Sequence, residues 1–69
     1  MELNELFANL QQSVELGLIR PKEGANRAID AICETDKTRK FTIDELRELL
    51  WEFRYLAAGL DELIRNNFR

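Results

Sequence analysis

The sequence predicts an all-α fold, a small three-helix, up-down-up bundle whose C-terminal helix is much the longest. Three observations predict it. The aliphatic residues are mostly Leu, Ala and Ile, with Val and Thr scarce, a composition that suits helix over sheet. Apolar residues recur at steps of three and four along three stretches. Helix stop and start signals separate those stretches: Gly17 and Pro21 at the first boundary, then the polar run TDKTRK (residues 35–40) ahead of a capping motif. The 69 residues read as one domain, 1–69.

Helix 1 is expected over about residues 2–16, with Leu3, Leu6, Phe7, Leu10 and Val14 in one stripe. Gly17 can end it in the left-handed conformation, with Leu18 closing over the last turn. Pro21 fits the first turn of helix 2, expected over about 21–34, with Ala25, Ala28, Ile29 and Ile32 inward. T-I-D-E from Thr42 is a capping box, flanked by Phe41 and Leu46 at the positions of a hydrophobic staple. Helix 3 is expected over about 43–67. Ile43, Leu46, Leu50, Phe53, Ala57, Leu60 and Ile64 make a heptad seam, widened by Leu49, Leu56 and Leu63. Asp61 and Arg65 are spaced as an i,i+4 pair.

At 1.5 Å per residue helix 3 would span about 37 Å and helix 1 about 22 Å, so its last turns would project. Ala57, Leu60, Leu63, Ile64 and Phe68 would then need cover, and the simplest cover is a second copy of the chain. The expectation is therefore a homodimer through that helix. The alternative is a tail folded back at Gly59, which is a poor residue for a helix interior.

The formal net charge is −3 and the chain has no histidine, which removes the commonest general base and the commonest metal ligand together. No catalytic constellation is visible and no cofactor is expected; acid pairs such as Asp44 with Glu48 read as a solvated helix face. ETDKTRKFTIDEL resembles a degraded EF-hand loop, with ligand positions at Glu34, Asp36, Thr38, Lys40, Thr42 and Glu45. Arg39 stands where that loop needs glycine, and basic residues would repel the ion. Cys33 is the only cysteine, and the N-terminal MELNELFANL lacks a signal peptide's apolar segment. No apolar run is long enough to span a membrane. A soluble, cytoplasmic protein is expected.

One stretch raises a functional question. In WEFRYLAAGL (51–60), Phe53 joins the apolar seam while Trp51 and Tyr55 point the opposite way, among Arg47, Arg54, Glu48 and Glu62. Trp, Tyr and Arg are the residues enriched at binding hot spots. The expected function is a protein–protein interaction module (a regulator, inhibitor or adaptor) docking through helix 3. The bland alternative has Arg47 and Arg54 stacking on Trp51. A second reading is a helix-turn-helix DNA binder with Lys22, Asn26 and Arg27 on helix 2 and Lys37, Arg39 and Lys40 in the following loop. A third is a structural self-assembly subunit.

Overall fold

The computed structural model describes residues 2–67. It is all-helical over those residues, with four helices: α1 (Leu3–Glu15), α2 (Pro21–Thr35), α3 (Ile43–Leu50) and α4 (Arg54–Asn67). The first two follow the sequence pattern. α1 buries Phe7, Leu10 and Val14. It ends in a Schellman motif, with the Leu18 N–H donating to the Ser13 carbonyl at 2.9 Å and the Gly17 N–H to Val14 at 3.0 Å. Gly17 carries the left-handed φ of +78° that this motif needs. Leu18 does not close over the turn as expected but stands 73% exposed; Ile19, one residue on, turns inward instead. Pro21 opens α2, which buries Gly24, Ala25, Ala28 and Ile32.

The third expected helix does not form as one piece. The 43–67 segment is two helices, broken at residues 51–53 and unbroken at Gly59. The Phe53 N–H donates to the Leu50 carbonyl at 3.0 Å, a tight i→i+3 turn, and the Ala57 N–H returns to Phe53 at 2.8 Å as α4 begins. The exchange of a straight helix for a hairpin has a physical reason. Folding back brings Leu50 to full burial and Leu46 against the core. Each buried leucine contributes about 1.5–3 kcal/mol, while the few helical hydrogen bonds given up are worth about 1 kcal/mol apiece net. Burial wins, and the projecting overhang that suggested a dimer is not formed. Leu60 is buried inside the chain, and Leu63 and Ile64 pack against the same core. Phe68 lies outside the described residues.

Three contacts hold the broken segment in place. The Tyr55 N–H, an unpaired donor in the first turn of α4, is capped by Oε1 of Gln11 from α1 at 3.2 Å. Phe53 and Phe7 meet edge to face, centroids 5.5 Å apart. Arg47 of α3 pairs with Asp61 of α4 at 3.2 Å, so Asp61 serves the hairpin rather than Arg65. α4 lies most extensively on α2, and glycine makes that crossing. A Cβ on Gly59 would sit 2.0 Å from the Pro21 carbonyl oxygen, and one on Gly24 would meet Leu56 and Val14 side chains at 3.0 Å.

Intrinsic propensity favours alanine over glycine in a helix by about 1 kcal/mol, yet Gly59→Ala should destabilise the chain by about 2–3 kcal/mol, because backbone must move to admit the methyl. Urea unfolding measures it, with the exposed Ala58→Gly as a reference for propensity alone. Gln11→Ala should cost about 1 kcal/mol, the usual cost of losing a helix cap, and raise hydrogen exchange at the Tyr55 amide first.

Candidate functional site

The α3–α4 corner presents what the core does not use. Phe7, Ile32, Leu50 and Leu56 fill the interior, whereas Trp51 stands 70% exposed at the C-terminal end of α3. Its backbone is still helical (φ −62°, ψ −31°), so its side chain neighbours Glu48 one turn back and Arg47 beside it. The two guanidiniums that might have covered the indole are engaged elsewhere. Arg47 binds Asp61, and the Arg54 guanidinium lies 5.5 Å from the centre of the Tyr55 ring. Tyr55 itself is half-buried. The structure thus places Trp51, Arg47, Glu48 and Arg54 at the surface, with Trp51 the uncovered aromatic and Tyr55 partly withdrawn.

Glu48 links the indole to a shallow hollow on the outer side of α3, lined by Arg39, Phe41, Glu45, Glu48 and Leu49. Leu49 is 41% exposed there, although its place beside the heptad seam suggests burial. Nothing in the sequence marks it as a surface residue; the hairpin turns it outward. The hollow's polar wall is built by the capping box. The Thr42 Oγ1 accepts from the Glu45 N–H, and the Glu45 carboxylate accepts from the Thr42 N–H, both at 3.2 Å. The same carboxylate pairs with Arg39, whose guanidinium lies 4.7 Å from the Phe41 ring centre. The Thr42 backbone N–H above all, then Arg39, holds the Glu45 carboxyl below its ordinary value of 4.5. Asp36 opens the connection as an Asx turn, its carboxylate accepting from the Thr38 hydroxyl at 2.7 Å and the Thr38 N–H at 3.1 Å. Those bonds, the hydroxyl's first, lower its carboxyl as well.

The residues of the nucleic-acid reading are scattered and partly paired. Arg27 lies 3.7 Å from Glu23, Lys37 lies 3.6 Å from Glu34, and Arg39 is held by Glu45. Lys22 and Asn26 line a separate surface hollow near the start of α2, with Arg20, Glu23 and Glu62, so both charge signs face it. Lys40 is exposed in the connection. No group of three His, Cys, Asp or Glu side chains is arranged to hold a metal ion among the described residues. Cys33 is exposed on α2. No helix in the described residues is long and apolar enough to cross a membrane.

No family model, curated protein or solved structure matches this chain.

The lowered carboxyls set a pH window. A group with a depressed folded value supports the fold above its ordinary value and loses that support as pH falls through the folded one. The 36–45 connection should keep its order down to the ordinary Glu and Asp values of 4.5 and 3.8, then loosen below them. Amide shifts of Thr38, Thr42 and Glu45 across an acid titration report this, and Glu45→Gln should abolish the Glu45 component while leaving Asp36 unchanged.

Proposed function

We propose that this chain is a protein-docking module, a small regulator, inhibitor or adaptor acting in the cytoplasm. Its partner protein seats on the outer face of α3. The observation that carries the reading is Trp51, 70% exposed at the α3–α4 corner while both neighbouring arginines are occupied. Exposed tryptophan at such a density of Arg and Glu is the composition of an interface centre with a charged rim. The hollow between Phe41 and Leu49 supplies a pocket beside that anchor. Binding of nucleic acid would require several of the lysines and arginines of α2 and the connection to leave acidic neighbours, on a chain of net charge −3.

Trp51 is the sole tryptophan, so its fluorescence reads the site directly. A partner captured by the wild-type chain should shift Trp51 emission to the blue as the indole leaves water. Trp51→Ala and Leu49→Asp should each weaken that capture by at least about tenfold, an ordinary hot-spot loss. Lys22→Ala with Lys40→Ala should leave it unchanged, and the melting curve of Trp51→Ala should match wild type. Capture that survives Trp51→Ala and Leu49→Asp, or falls steeply with salt through the lysines, would overturn the reading.

A further inference from the structure

We propose that two copies of this chain exchange α4, forming a dimer in which α3 and α4 straighten into one helix and each α4 packs on its partner's α1–α3. This rests on the hinge and is independent of what Trp51 binds.

The hinge is the first observation. Residues 51–53 are Trp, Glu and Phe, with neither Gly nor Pro to enforce a bend. Trp51 already has helical backbone angles, and the Phe53-to-Leu50 hydrogen bond is a tightened helical turn. Among the described residues the only positive φ is that of Gly17, so the corner is held by no special backbone conformation of its own. Few dihedrals separate the bent form from a continuous helix.

The second observation is that the apolar pattern runs straight through the bend. Leu46, Leu50, Phe53, Ala57, Leu60 and Ile64 keep their three- and four-residue steps across residues 51–53. A bend designed into the sequence would interrupt that period, as Gly17 and Pro21 do between α1 and α2. The third is that the bent form depends on contacts from outside the hinge. The Tyr55 N–H relies on Gln11, and α4 is pinned to α3 by Arg47–Asp61. In the straight form the Tyr55 N–H would donate to the Trp51 carbonyl within the helix, needing no borrowed cap.

The exchange needs no new contact surface. The surfaces that α4 meets on α1, α2 and α3 are all available unchanged on a second copy. The packing of α4 beyond the hinge, including Gly59 on Pro21 and Leu56 on Gly24, re-forms between chains. What differs is the hinge and the entropy of association, so concentration decides the balance. Because α4 must first leave α2, exchange is slow, and the two forms separate on a column.

The test uses the 69-residue chain refolded across a concentration range reaching about 1 mM, where mass action favours exchange. Wild type should give a dimer of twice the 8.1 kDa chain mass that survives dilution for hours. Arg54→Pro places proline at the first position of α4, which the bent form accepts, but in the interior of a straight helix, which rejects it. That variant should stay monomeric with the helical content of wild type. A second readout does not depend on its folding. In a Cys33→Ser background, chains carrying Arg47→Cys are co-refolded with chains carrying Asp61→Cys. Exchange brings those positions near each other only between chains, so a short bismaleimide cross-linker, which spans more than a disulfide, should yield a covalent mixed dimer in large excess over either like pair. A wild-type chain that is monomeric throughout, a dimer that Arg54→Pro retains, or a dimer without the mixed cross-link would overturn the proposal.

Discussion

The close approach of α4 to the start of α2 is the constraint from which the rest of the molecule follows. Gly59 has no room for a side chain above the Pro21 carbonyl. Ala25 and Ala28, the small residues of α2, lie fully buried in the same core. Small residues let two helix backbones come near enough for Leu56 and Leu60 to reach full or nearly full burial. In a chain of 69 residues there is little other apolar area to recruit, so the volume of the core is set by how tightly this one crossing closes.

With α4 fixed on α2, the fate of α3 is a contest between helix continuity and burial. A straight continuation would satisfy every backbone group locally but leave Leu46 and Leu50 without an interior. The bend places Leu50 at the centre and Leu46 at its edge, and one donor it frees, the Tyr55 N–H, is met by Gln11 of α1. The bend also decides what faces water. It lifts Trp51 and Leu49 onto an outer surface and draws Tyr55 partly beneath it. The candidate site is thus a by-product of how the core is completed.

Much of this was legible in the sequence wherever a signal is local. The stripe of α1, the Gly17 stop, the Pro21 start and the Thr42 capping box each involve residues within four or five positions of one another, and all appear as read. The exposure of Trp51 was legible too, from its place on the polar face of the helix beside Arg47 and Glu48. The break itself was not, since no breaker residue marks it and the heptad period passes through; only the balance of burial across the whole chain selects it. Gln11 as a cap, Asp61 as the partner of Arg47, and Gly24 as a packing position are likewise tertiary facts. Each residue is ordinary in its own helix, and its role comes from an element far along the chain.

The Gln11 cap has a consequence for the order in which the molecule assembles. Its acceptor and donor are 44 residues apart, so the Tyr55 N–H stays bonded to water until that long loop has closed. α1 and α2, joined by a turn stabilised within itself, can meet before then. The α3–α4 corner is therefore a late event in folding, and substitutions there act on the rate at which the native chain opens more than on the rate at which it forms.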